Sequence, residues 1–252
     1  MCLILFAYRV HPDYPLILAA NRDEFYARPA LPLGWWQDAP DLLAGRDLAA
    51  GGTWAGITRS GRFAAITNYR DPARMRADAP SRGALVGDFL RGTQTAPAYL
   101  DDVAAASLPY NGFNLLAADP AAGLWYYGSR DGRPRAVEAG VHGLSNALLD
   151  TPWPKVRRGK AGLQPLLEAG TRPDPEALFT LLADTSRPPD AELPSTGVSP
   201  EWERLLSPAW IVSPTYGTRG SLVLLWRADG RVEMIEREAG SGEERAFRLR
   251  VG

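Results

Sequence analysis

The chain has 252 residues, 45% of them hydrophobic, with 28 basic against 29 acidic side chains and a formal net charge of -1. That balance excludes the basic excess of a nucleic-acid binder. A single cysteine excludes an internal disulfide and points to a reducing, cytoplasmic setting, and the length suits one domain over residues 1–252 with one large core.

Cys2–Tyr8 (CLILFAY) is a continuous apolar, β-favouring run. It is too short to span a membrane and lacks the basic flank of a signal peptide. It reads as a buried strand, and residues 16–21 (LILAAN) read as its hairpin partner across the loop HPDYP. Residues 28–50 are rich in Pro and Trp and read as a connection. GGTWAGITRSGRFAAITN suggests two strands about a turn at 59–61. Ser81 stands where it would cap a helix carrying Leu85, Phe89 and Leu90 on one face, with a second helix near 98–106.

Strand patterns return at 113–118, 124–129 and 141–146, divided by turn-forming residues. Helical patterns cover 156–169 and 176–183, and the Pro- and Ser-rich stretch 186–200 reads as an exposed loop. The chain closes with the strand runs AWIVS (209–213), SLVLLWR (221–227) and RVEMIERE (231–238). Strands and helices come in blocks rather than in βα alternation. The expected architecture is therefore α+β, with two stacked, mainly antiparallel sheets and helices on the outer faces.

Cys2 follows Met1 directly. An initiator Met is removed when the second residue is small, and the mature chain would then begin with a thiol and its own α-amine as base. A thiol of pKa ~8.5 is a few per cent ionised at pH 7, and an amine near ~8 is mostly protonated. A nearby cation would lower both. The plain alternative is a cysteine buried in a strand. Asn21, Arg22, Asp23 and Glu24 end the second strand, and hairpin pairing brings them beside the thiol. Period-2 alternation puts Asn21 and Asp23 on one face, Arg22 and Glu24 on the other. A strand end reaching water is the ordinary reading of such a run.

Asn68 and Asn146 end strands, where a side-chain amide either donates to an oxyanion or shapes a turn. GLSNA (143–147) is one residue from a G-x-S-x-G elbow. Pro152 and Pro154 interrupt the helix such an elbow needs, and His142 adjoins the motif instead of reaching the Ser from elsewhere in the chain. His11, His142 and one Cys make no convincing zinc set, H-E-x-x-H is absent, and so are the Gly-rich nucleotide loops. No metal or cofactor is expected. Trp35, Trp36, Trp54, Trp125, Tyr126, Tyr127 and Trp153 either line an apolar acyl pocket or, more commonly, sit in the core.

LILAANRDEFYARP (16–29) resembles the signature of the NRDE family, which includes the transport and Golgi organisation protein 2 group. The likeness continues in GGTWAGI, ITNYRDP, SRGALV, YNGFNLL, GLSNALLDTPWPKV and TYGTRGS, in that order along the chain. The family in turn resembles the cysteine branch of the N-terminal nucleophile hydrolases, with choloylglycine hydrolases and penicillin acylases. That resemblance implies a four-layer αββα sandwich and amide hydrolysis or acyl transfer through a thioester. It implies Cys2 as nucleophile with its amine as base, Asp23 at the amine, Asn68 and Asn146 near substrate and oxyanion, and Arg219 as a supporting cation. Asn21, Arg22 and Glu24 complete the polar neighbourhood. The branch carries an Arg three residues before the Asp, where this chain has Ala20, so Arg22 is the candidate substitute. The implied partner is a small amide, acyl or apolar molecule. The same family likeness leaves open a non-catalytic binding or trafficking protein for haem or a lipid-like ligand, in which His11 or His142 would matter for haem.

Overall fold

The computed structural model describes residues 2–106, 109–168 and 171–251. A strand that is apolar on both faces needs cover on both, and two sheets provide it. One runs in the order β10 (Gly140–Leu144), β1 (Cys2–Tyr8), β2 (Leu16–Phe25), β11 (Tyr216–Trp226), β12 (Arg231–Glu238) and β13 (Glu244–Arg250). The other runs in chain order: β3 (Ala30–Trp36), β4 (Ala39–Asp47), β5 (Ala55–Thr58), β6 (Phe63–Asn68), β7 (Phe113–Asp119), β8 (Gly123–Gly128) and β9 (Arg135–Ala136). The pairings within both sheets are antiparallel.

Between the sheets Ile4, Phe6, Leu18 and Leu224 meet Leu43, Ile57, Phe63 and Tyr126. The alternate residues of the first sheet, Leu3, Leu5, Ile17 and Val223, face outward. They are covered by α3 (Pro154–Glu168) and α4 (Pro175–Leu182) through Val156, Leu163, Leu178 and Phe179. The second sheet is covered in the same way by α1 (Gly83–Arg91) and α2 (Ala96–Ala106), through Leu85, Phe89, Leu100 and Val103. The result is the α+β, four-layer αββα sandwich.

Several local expectations need correction. Residues 28–50 form the β3–β4 hairpin, because Pro32 and Gly34 fall where the ladder register shifts on an edge strand, the position in which a sheet tolerates proline. Ser81 is not the cap of α1. Arg82 holds the N-cap position without a side-chain bond, and the Ser81 carbonyl accepts from Ala84. AWIVS is not a strand. Its Ala209 and Ile211 are buried against the outer core, and Trp210 bonds to the Asp184 carbonyl outside either sheet. The loop at 186–200 leads into α5 (Pro200–Leu205), capped by the Ser199 hydroxyl. Strands β9 and β13 were not anticipated, and residue 169 of the third helical pattern lies outside the described residues.

Candidate active site

The β1–β2 register sets Cys2 opposite Arg22. Opposed residues of an antiparallel pair share a face, so thiol and guanidinium both turn to the inter-sheet side, in line with Ile4, Phe6, Leu18 and Ala20. Here the apolar core ends and a cleft of about 500 Å³ opens, bordered by Cys2, Arg22, Asp23, Glu24, Asn68 and Arg219 among others. A bulge in β11 shapes it: Thr218 faces Asp23, Gly220 faces Arg22, and Arg219 is the extra residue. The Arg219 guanidinium donates to the carbonyls of Phe25, Tyr26 and Arg28, pinning the turn after β2.

Burial pushes the Cys2 thiol up, and the Asp23 charge adds to that. Arg22 and a hydrogen bond with the Asp23 backbone pull it down without reversing the shift. The resting sulfur is thus a protonated thiol that needs a base. Asp23 occupies the opposite face of β2, 1% exposed, with Oδ1 accepting from the Thr218 hydroxyl at 2.8 Å. Burial pushes its carboxyl up, while Lys155, the Thr218 hydroxyl and Arg70 pull it back.

Lys155 belongs to a buried charged group that the sequence analysis did not single out. From α3 it donates to the Leu206 carbonyl at 2.9 Å, and burial pulls its ammonium down to about 8, with Asp23 opposing. Beside it, Arg70 meets Glu203 of α5 at 2.6 Å, and Glu203 also accepts from the Thr196 hydroxyl and N–H. One signal was available: in a chain whose cations are nearly all Arg, the only lysines are Lys155 and Lys160.

Asn68 borders the cleft, and among the described residues its side-chain amide makes no hydrogen bond. Asn146 does not border it. Its Nδ2 donates to the Asn68 carbonyl at 2.9 Å, and its Oδ1 accepts from the Ser145 hydroxyl. Asn21 is also turned away, donating to the carbonyls of Leu182 and Ala209 and accepting from Ser221, so it braces the packing beyond α4. Glu24 reaches the cleft, with Oε1 accepting from the Phe25 N–H and Oε2 4.0 Å from Arg28.

Residues 1–241 match the family model for Transport and Golgi organisation 2. The chain belongs to this family. It is 40% identical over 256 residues to the Transport and Golgi organization protein 2 homolog of Bos taurus, across 94% of this chain and 92% of that one. The Homo sapiens homolog is 37% identical, with the same coverage. A Drosophila melanogaster member is 29% identical over 94% of this chain and 91% of its own length. Among solved structures, a Caenorhabditis elegans N-acylethanolamine-hydrolyzing acid amidase ortholog superposes with a TM-score of 0.45 at 13% identity, over 89% of this chain and 92% of that one.

Other residues weighed in this Transport and Golgi organisation 2 family member have structural places. Ser145 shares its one hydroxyl proton between the Cys2 carbonyl at 3.2 Å and Asn146 Oδ1, and His142 is bound instead to Asp150 at 2.7 Å, so His142 and Ser145 form no serine elbow. His142 also faces the Glu138 carbonyl, and His11 faces the Thr171 carbonyl and the Asp13 N–H. Neither imidazole borders the cleft. Of the seven aromatics, Trp54 alone borders it, while Trp36, Tyr126 and Tyr127 are core. Among the described residues no helix is long and apolar enough to cross a membrane.

Proposed function

We propose that this protein is an N-terminal cysteine amidohydrolase or acyltransferase that acts on a small amide or acyl donor, from one domain spanning residues 1–252 in the reducing cytoplasm. The observation that carries the reading is the division across β2: Arg22 shares the cleft face with the Cys2 thiol, while the Asp23 carboxylate lies on the other face. β1 begins at Cys2, so its main-chain nitrogen lies toward the Asp23 end of the hairpin. Removal of Met1 turns that nitrogen into an amine oriented by Asp23, and the Lys155 charge beyond disfavours a second ammonium there. Arg22 is thus the cation that Ala20 does not supply, with no bend of the strand required.

The chemistry follows in balanced steps. The amine takes the Sγ proton as sulfur bonds to the substrate carbonyl carbon, and the carbonyl electron pair moves to oxygen. The Asn68 amide donates to that oxyanion. Collapse breaks the C–N bond, and the ammonium returns the proton to the leaving amine. The thioester is then attacked by water, whose proton passes to the amine, and it releases a carboxylic acid and the thiol. An acceptor amine in place of water gives acyl transfer.

Intact mass spectrometry tests this directly. The purified protein should lack Met1 and gain a single acyl group from a thiol-reactive donor, and Cys2→Ala should gain none. Retained Met1 sinks the mechanism, because an amide nitrogen is no base.

A further inference from the structure

Five arginines border the cleft: Arg22, Arg28, Arg46, Arg82 and Arg219. Three are engaged elsewhere. Arg28 meets Asp47 at 2.7 Å, Arg46 meets Asp38 at 2.5 Å, and Arg219 is bound to backbone carbonyls. Arg22 and Arg82 differ. Among the described residues neither has a carboxylate within 4.0 Å, and the one hydrogen bond made by the Arg82 guanidinium is to the Gly112 carbonyl at 3.1 Å. Both are half-buried. They come from opposite layers, Arg22 from β2 and Arg82 from the segment leading into α1, and they border the same space as Cys2.

The cleft carboxylates act on them only through space, Glu24 on Arg82 and Glu236 on Arg22, with no ion-pair contact among the described residues. Glu24 accepts from Phe25, and Glu236 accepts from the Leu33 N–H. Glu238 accepts from the Ser241 hydroxyl and lies two strands from Arg22, with Gly220 between, or about 10 Å by strand spacing. A half-buried guanidinium with no carboxylate in direct contact keeps a desolvation cost that a bound anion offsets, and a guanidinium fork fits carboxylate and phosphate oxygens in pairs.

We propose that the cleft binds substrates carrying an anionic group, a carboxylate or a phosphate, close to the reacting carbonyl, and that Arg22 and Arg82 together hold that anion. The proposal deepens the Cys2 reaction above and rests on it for the word substrate. The closeness follows from register: Arg22 is the residue facing Cys2, so an anion on its guanidinium lies at the same end of the cleft as the sulfur.

Two measurements separate this proposal from the Cys2 chemistry. The first is calorimetric binding of succinate and of inorganic phosphate to the full chain carrying Cys2→Ala, then with Arg22→Gln or Arg82→Gln added, each variant checked for an unchanged fold by circular dichroism. At least one anion should bind, and each substitution should weaken it tenfold or more. The tighter anion identifies the group as carboxylate or phosphoryl. No binding of either anion, or binding that ignores both substitutions, overturns the proposal.

The second compares acyl adduct formation from succinyl and butyryl thioesters of one small thiol. In each, the Cys2 S–C bond forms as the donor C–S bond breaks and its thiol leaves with a proton. The succinyl donor should react at least tenfold faster, and Arg82→Gln should bring the ratio toward one. Equal rates overturn the proposal. An intact anion site with no adduct from either donor sinks the thioester chemistry instead and reduces the cleft to an anion-binding site.

Discussion

Cys2 and Arg22 face each other across β1 and β2, with both side chains turned into the cleft. A cation at that position favours the thiolate, and one opposite charge within a few ångströms lowers a pKa by about one to three units. Arg22→Leu should therefore move the pH midpoint of Cys2 alkylation by iodoacetamide upward by about one unit. Iodoacetamide is neutral, so the shift reports on the thiol and not on anion recognition. An unmoved midpoint would show that Arg22 does not act on the sulfur.

Asn68 closes β6, whereas Asn146 lies two residues past the end of β10, and the two should behave differently. The Asn68 amide is unengaged among the described residues and borders the cleft, so Asn68→Ala should slow acylation of Cys2 by about 10²–10³ with little change in melting temperature. The Asn146 amide is spent on the Asn68 carbonyl in a buried position, so Asn146→Ala should cost about 1–3 kcal/mol of stability. Single-turnover adduct kinetics and urea unfolding separate the two effects. A rate loss of equal size in both variants would count against Asn68 as the oxyanion donor.

The hairpin of β1 and β2 and the facing of its side chains could be read in advance because alternation and pairing are local properties. The β3–β4 hairpin could not, because Pro32, Gly34 and Pro40 suppress a strand signal that only an edge position and a shifted register make tolerable. AWIVS has a strand's composition, yet β2 already has β1 and β11 on its two sides and offers no free edge. Lys155 was the larger omission. Its nearness to Asp23 depends on how α3 packs over the first sheet, which no local pattern encodes. Asn146 lies two residues beyond β10 rather than at its end, and what Asn21 and Asn146 serve depends on Leu182, Ala209 and Asn68, far away in sequence.

Lys155 makes stability rise with pH. Its folded pKa is about 8, against 10.5 for the ordinary lysine value. Between those values the unfolded chain holds a proton that the folded chain has released, so the unfolding free energy increases with pH across that window. The depressed ammonium costs stability below pH 8, and that cost fades toward pH 10.5, by about 3 kcal/mol in all. Lys155→Met removes the term. Urea unfolding at several pH values should show the wild type gaining on Lys155→Met between pH 8 and 10.5. Parallel curves would mean that the ammonium is not depressed in the folded protein.

Glu203 holds two partners, Arg70 at 2.6 Å and Thr196 through its other oxygen, in a region where both charged side chains are 5% exposed. Removing one partner of a buried ion pair leaves the other charge desolvated, typically at about 3–5 kcal/mol, whereas replacing both by apolar groups of similar volume is often neutral or stabilising. Glu203→Ala should therefore cost about 3–5 kcal/mol in urea unfolding, and Glu203→Gln should cost less because its one amide oxygen can still accept from Arg70 or from Thr196. Glu203→Leu combined with Arg70→Met should recover much of the stability. The Arg70 charge also bears on Asp23, so the recovered double variant should still differ from wild type in the pH dependence of Cys2 acylation. A double variant matching wild type in both stability and pH profile would confine this ion pair to packing α5 against the loop after β6.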